Sequence, residues 1–313
     1  VQNLIFALTL VAPVFLIVAL GYFLKKLGII NENFVSVSSK IVFTISLPAL
    51  IFIEVSSIHI EEILNINLIL FVYGGTLISF FFVWIVSDFF TSAGKDKASF
   101  IQGSFRGNFA IVGLAIIVNY YGIESLGKAS LVLAFTIPLY NVLSVIALTV
   151  PLKEKEHNYS KTFSEILKNP LILAVLTAIP FSYFGIRLPE VIKTTVSYLS
   201  SLALPLALIG IGGFLNFRDI TKDSSLTIIS TVLKLIVFPG VMTLAAYILG
   251  FTGIDLGIIF ILFACPTAIA SFIMAEAMGA NSKLAGSILL LTTLASVVSI
   301  TLGLFILREN GLI

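Results

Sequence analysis

Ten apolar runs, each about as long as a bilayer is thick, dominate this sequence. They read near 2–24, 34–56, 64–87, 98–119, 126–150, 163–185, 190–214, 224–249, 256–278 and 283–307. About 20 apolar residues cross a hydrocarbon core as a helix. A chain in lipid must satisfy its backbone polar groups internally, which leaves helices or closed barrels. The runs show no period-2 alternation and are too long for barrel strands. Composition agrees: 58% of the 313 residues are hydrophobic and only 11% charged, too little charge to cover a water-soluble surface of this size. The expected fold class is an all-α polytopic membrane protein with ten transmembrane helices.

The second half repeats the first at a fixed offset of 157. Pro13 meets Pro170, Gly28-Ile29 meets Gly185-Ile186, and Leu47-Pro48 meets Leu204-Pro205. Gly122 meets Gly279 and Ser130 meets Ser287. Each matched Pro or Gly keeps its place relative to a long apolar run. The chain therefore divides into two five-helix repeats, 1–150 and 151–313. Five is odd, so the second repeat enters the membrane from the opposite side, and the repeat is inverted. Inverted repeats set two related faces around one midplane site, as in many secondary transporters.

Orientation follows from Lys and Arg in the loops. The side reached after the first run holds twelve, including Lys25, Lys26, Lys40, Lys95, Lys97 and the cluster Lys153 to Lys168. The other side holds Lys128, Arg187, Lys193 and Arg308. The richer side is expected to be cytoplasmic, with both termini extracytoplasmic in a cell (inner) membrane. The first run has no basic start and is too long for a cleaved signal peptide. The longest polar stretch, Lys153 to Lys168, is read as a loop rather than a domain.

Two basic residues fall inside apolar runs: Arg106 in the fourth and Lys234 in the eighth. Lys234 is about ten residues in, roughly 15 Å deep at a rise of 1.5 Å per residue. Each costs about 2.5–3.5 kcal/mol on insertion scales. Glu54, Asp88, Asp255 and Glu276 all lie near the ends of their runs, so the midplane is formally positive. Such cations either snorkel, bond backbone carbonyls, or await an anion.

The fourth and ninth runs are also the least helix-like. The fourth carries Gly103-Ser104-Phe105-Arg106-Gly107-Asn108-Phe109-Ala110-Ile111-Val112-Gly113, and the ninth Ala264-Cys265-Pro266-Thr267-Ala268. Pro266 lacks an amide hydrogen and breaks its helix; Gly107 beside Asn108 loosens the other. The 157 offset places Asn108 opposite Cys265 and Phe109 opposite Pro266. Two breaks at equivalent depth imply one shared site, where new half-helix N-termini attract anions. The candidate substrate-binding residues are Asn108, Arg106, Phe109, Cys265, Pro266 and Thr267. Lys234, Gly107 and Gly113 are the candidates for the crossing and its charge.

Other residues read blandly. His157 sits in a charged loop. His59 lies near Glu61 and Glu62 at generic spacing for a metal. The lone cysteine, Cys265, has no His or acid beside it in sequence and reads as packing rather than a nucleophile. No phosphate loop, zinc-protease helix or haem motif is present. No cofactor, metal or nucleic-acid partner is expected, and no catalytic constellation is visible.

The segment Arg106 to Leu114 resembles the fourth-helix motif of the auxin efflux carrier family, which includes the plant PIN carriers and bacterial organic-anion permeases. Lys234 to Met242, with its Pro five residues after the lysine, is similar to the family's eighth helix. Ala264-Cys265-Pro266 through Gly279 is similar to its ninth. Leu47-Pro48-Ala49-Leu50 and Asn169-Pro170-Leu171 also fit. Gly107 departs from the pattern by standing where the plant carriers have Pro, and Ala115 stands where the family often has Pro. The resemblance implies a fold of the PIN, bile-acid-transporter and NhaA type. Runs 1, 2, 6 and 7 would form a scaffold, and runs 3–5 and 8–10 a moving transport domain. Runs 4 and 9 would cross at their breaks, with Asn108 as substrate or crossover ligand, in a homodimer. The function it implies is elevator-type transport of small organic anions, carboxylates such as malate or malonate, or auxin-like acids, with efflux as the expected direction. The alternatives are a non-coupled anion channel and a membrane sensor without transport activity.

Overall fold

The computed structural model describes residues 2–57, 65–91, 94–152, 170–215 and 224–313. Among these residues there are fifteen α-helices and no strand. They are α1 (Gln2–Lys26), α2 (Glu32–Ile41), α3 (Leu47–Ser56), α4 (Ile66–Phe90), α5 (Lys95–Phe105), α6 (Leu114–Tyr121) and α7 (Leu126–Thr149). The second half supplies α8 (Pro170–Phe184), α9 (Glu190–Ser201), α10 (Ala203–Phe214), α11 (Ser224–Val232), α12 (Phe238–Ile248), α13 (Gly253–Ala264), α14 (Ile269–Ala277) and α15 (Ser282–Glu309). The expectations for His59, Glu61, Glu62, His157 and the Lys153 to Lys168 loop fall outside the described residues.

Among the described residues six stretches are long and apolar enough to cross a membrane: Glu32–Ile53, Ile66–Phe90, Ile123–Thr149, Glu190–Phe214, Ser225–Ile248 and Ser282–Glu309. The fourth and ninth runs appear instead as shorter apolar pieces, among them Phe109–Tyr121 and Gly253–Ala264. Each run is divided by a break of three or four residues, so neither forms one uninterrupted span.

Local chemistry sets the helix ends. Asn65 caps α4 by accepting the Leu68 amide at 3.1 Å, and Asn281 caps α15 by accepting the Leu284 amide at 3.0 Å. Each cap satisfies one of the orphan amides of a helix start. Gly28 and Gly185 take φ of 74° and 62°, and Gly122 and Gly279 take 86° and 77°; both pairs are 157 apart in the chain. Proline leaves a different mark. Five-residue π turns at Val42–Ser46 and Leu233–Val237 lie just before Leu47-Pro48 and Phe238-Pro239. In each, the residue before proline bonds five residues back, Leu47 to the Val42 carbonyl and Phe238 to the Leu233 carbonyl. The missing proline amide and its ring displace the normal four-residue ladder.

The helices pack in a continuous network: α1 and α2 lie on α10, and α8 and α9 lie on α3. α4 and α7 lie on α5, α12 lies on α13, and α11, α14 and α5 lie on α15. α1 also packs on α15, and α3 on α7. The α1–α10 contact is backbone to backbone. A Cβ on Gly21 would sit 2.2 Å from the Ile209 carbonyl oxygen, and one on Gly212 would sit 1.8 Å from that of Val18. In lipid, where apolar surface gains little by pairing, close approach through small residues is what holds helices together.

Candidate functional site

The site begins where α5 and α13 stop. Arg106 leaves the helix with φ −81° and ψ 115°, and Asn108 follows at −88° and 54° before a π turn over Phe109–Gly113. On the other side Cys265 is extended at −56° and 140°, as the residue before a proline prefers. The two open stretches lie antiparallel and pair with each other. Gly107 and Thr267 form an isolated bridge. The Asn108 amide donates to the Pro266 carbonyl at 2.8 Å, and the Ala268 amide donates to the Arg106 carbonyl at 3.3 Å. Each break thus satisfies backbone groups that the other break exposes, which a membrane interior requires. The bridged residues are 160 apart in the chain, three positions away from the 157 register that pairs Asn108 with Cys265.

Side chains finish the satisfaction. The Thr267 hydroxyl donates to the Gly103 carbonyl at 2.7 Å, and the Thr267 amide donates to the Thr292 hydroxyl at 3.1 Å. The Asn108 carbonyl accepts from the Val112 and Gly113 amides at 3.0 and 3.3 Å. Lys234 is fully buried, and its ammonium donates to the Phe105 carbonyl, the last of α5, at 3.3 Å. A Cβ on Gly107 would lie 3.0 Å from that ammonium and 3.1 Å from the Leu262 carbonyl oxygen. The lysine therefore stands close to the C-terminal ends of both α5 and α13, whose carbonyls carry partial negative charge. Gly113 has its own reason to be small: a Cβ there would sit 2.4 Å from the Phe109 ring and 3.1 Å from the Cys265 sulfur.

Arg106 turns the other way. Its Nη1 donates to the Ser144 hydroxyl at 3.0 Å and to the Met274 sulfur at 3.0 Å, and its Nη2 donates to Asn141 Oδ1 at 3.0 Å. All three partners are neutral. The salt bridges among the described residues, Lys25–Glu32, Lys97–Asp88 and Lys128–Asp255, involve neither Arg106 nor Lys234. Arg106, Gly107, Asn108, Phe109 and Asn141 line a cavity of about 800 Å³. Its walls come from both halves of the chain: Leu47 and Leu133 from the first, Ala207, Ala268 and Leu290 from the second. Lys25 and the exposed Glu32 and Lys40 also line it, at its solvent end. Phe214 and Phe272 meet edge to face across it, centroids 4.9 Å apart.

Among the described residues no carboxylate pairs with Arg106, which lines the cavity beside the broken helices. The chain matches the family described as Membrane transport protein over residues 6–166 and 157–304. It belongs to that family, the auxin efflux carrier family. An "Uncharacterized transporter" of Methanothermobacter thermautotrophicus is 26% identical over 300 residues, covering 93% of this chain and 95% of that protein. A Rhizobium meliloti protein named "Putative malonate transporter" is 24% identical over 309 residues, 97% and 96% of the two chains. Auxin efflux carrier component 1 of Arabidopsis thaliana is 29% identical over 118 residues, 36% of this chain and 19% of that one.

In this membrane transport protein the residues singled out from sequence gather at one place but divide into two layers. Arg106, Gly107, Asn108 and Phe109 face the cavity. Cys265, Pro266, Thr267, Gly113 and Lys234 stand behind it, around the crossing, and are absent from its lining. Ala268 and Ile269 bring the second break to the cavity wall. Sequence reasoning missed Asn141, Ser144 and Met274, the partners of Arg106, and Thr292, the partner of Thr267. Asn141 had a signal: it is an amide in the middle of an apolar run, where polar side chains are costly and functional by default. Ser144, Met274 and Thr292 had none, since serine, methionine and threonine occur throughout such helices.

Proposed function

We propose that this protein is a secondary transporter of small organic anions, working by elevator-type alternating access. The observation that carries the reading is Arg106: a residue 9% exposed whose guanidinium bonds to neutral partners and which lines a large cavity. A buried charge is expensive unless it is paired, and here the cavity offers room for a diffusible anion as the partner. Asn108 adds an amide at the same wall. In this reading runs 1, 2, 6 and 7 form a scaffold and runs 3–5 and 8–10 a transport domain; residues of both sets line the cavity, which supports it. Paired breaks, paired helix-ending glycines and the 157 offset support two inverted five-helix repeats. The Lys-rich end of the cavity then faces the cytoplasm, both termini face outward, and loading from the cytoplasm fits export. The scaffold faces suit a homodimer, and a plasma (inner) membrane is the site of action.

Reconstitution into liposomes tests the reading. Saturable uptake with counterflow of a labelled carboxylate is the expected result, and Arg106→Gln is expected to abolish it. A carboxylate-dependent current without counterflow would make the protein a channel; neither flux nor current would make it a sensor.

A further inference from the structure

Resting on the anion-transport reading, we infer that one face of α9 is the wall of an extracytoplasmic vestibule that opens in the other half of the transport cycle. The face carries Ile192, Lys193, Ser197 and Ser200, and Lys193 meets the anion at the mouth.

The repeat register carries the argument. α2 and α9 are counterparts. Gly28 meets Gly185 before them and Leu47-Pro48 meets Leu204-Pro205 after them, so the 157 offset holds on both sides. They also pack alike: α2 lies on α10 and α9 lies on α3, and α10 is the counterpart of α3. The two faces of α2 and the turn after it do different things. Val35, Ser36, Lys40 and Phe43 line the cavity. Phe34, Val37 and Ile41, on the opposite face, line a separate groove with Leu206. Adding 157 turns the cavity face into Ile192, Lys193, Ser197 and Ser200, and the outer face into Val191, Thr194 and Tyr198.

The polar character of the cavity face is kept in α9, yet here that face lines neither the cavity nor the groove. α9 begins a stretch, Glu190–Phe214, long and apolar enough to cross a membrane. Lys193 is exposed in it, and none of the salt bridges among the described residues involves Lys193. A cation within a membrane span marks an ion or substrate pathway. An inverted repeat supplies one. When its halves exchange conformations, the surroundings of α2 pass to α9. The cavity that ends at Lys25 and Lys40 then closes there and opens along α9, and the field of Lys193 draws anions to the new mouth.

Cysteine substitution tests the wall, read with an anionic, membrane-impermeant methanethiosulfonate added outside intact cells. Cys265 is fully buried, and the wild-type protein supplies the blank. Labelling is expected at Lys193→Cys, Ser197→Cys and Ser200→Cys, and at least tenfold slower at Tyr198→Cys. Exposure in the present conformation gives the opposite order for the last two, since Ser200 is 8% exposed and Tyr198 73%. Faster labelling of Tyr198→Cys than of Ser200→Cys would overturn the inference. So would silence at both serines in variants that still transport, the result expected of a face covered by lipid or by a second copy. Lys193→Gln tests the mouth. Carboxylate entering right-side-out vesicles at low salt is expected to half-saturate at a concentration at least threefold higher than in wild type. The shift should be absent in inside-out vesicles and fade at high salt. Equal shifts from both sides, or none, would overturn the role given to Lys193. Wild-type vesicles that move no carboxylate would remove the transport reading and this inference with it.

Discussion

Gly107 is the residue on which the crossing closes, and adding one methyl group to it probes the packing directly. A Cβ there would lie 3.0 Å from the Lys234 ammonium, 3.1 Å from the Leu262 carbonyl oxygen and 3.5 Å from the Cys265 Cβ. The first two contacts are tighter than ordinary van der Waals distance. The lysine tip is flexible and can retreat, but doing so gives up its bond to the Phe105 carbonyl. The Leu262 oxygen belongs to the last turns of α13 and cannot move without shifting the break. Overpacking of this kind costs about 1–3 kcal/mol. Gly107→Ala should therefore lower the melting temperature of the purified protein and reduce counterflow by roughly 5- to 150-fold if the whole cost falls on the transporting conformation. Pairing it with Lys234→Met separates the two contacts. If the ammonium is the main obstacle, the double variant will be more stable than the two single effects summed, by about 0.5–3 kcal/mol, the range for residues in contact. Strict additivity would assign the clash to Leu262. Wild-type melting and transport in Gly107→Ala would refute the close crossing altogether.

Asn108→Ala should depress transport about tenfold or more, from the roughly 1–3 kcal/mol at stake when a buried hydrogen-bonding group is lost; initial rates of counterflow check it, and unchanged kinetics would count against a substrate role. Lys234→Ala should weaken anion transport while leaving a folded protein, because a neutral replacement removes a costly buried charge. Lys234→Arg should recover little, since a planar guanidinium does not fit a compact ammonium site. With a fixed cation already at the helix ends, wild-type transport should proceed equally in sodium and potassium buffers, and a strict sodium requirement would sink that account. Asn65→Ala removes both the cap on Leu68 and the 2.9 Å bond to Asp255; a loss of about 1 kcal/mol is expected from the cap alone, read as a lower melting temperature with transport per folded molecule preserved.

The sequence made the breaks legible because glycine and proline act locally. Pro266 ends α13 wherever it is placed, and Gly28, Gly122, Gly185 and Gly279 mark helix ends by conformations that other residues resist. The membrane character was legible too, since six described stretches are long and apolar enough to span a bilayer. The register at the crossing was not. From Gly107 to Gly122 is 15 residues, and from Thr267 to Gly279 only 12. The π turn at Phe109–Gly113 belongs to the longer segment, and a hydrogen-bond slip of that sort leaves no mark in composition. Arg106 was visible as a buried cation, but its partners were not. Which face of α7 or α14 meets it depends on rotation about helix axes, and the apolar pattern of a membrane helix, greasy on every side, does not report rotation. Asn141 could be noticed but not assigned.

The crossing itself is joined by main-chain groups: the bridge between Gly107 and Thr267, and the amide-to-carbonyl bonds on either side of it. Main-chain bonds are indifferent to which side chain hangs from them. Asn108 donates its backbone amide inward to Pro266 and borders the cavity. Substitution at this position can therefore reshape the cavity wall without unfastening the joint that makes the cavity. Wall and architecture share a residue here but use different atoms of it, so the wall can change in single steps while the joint stays.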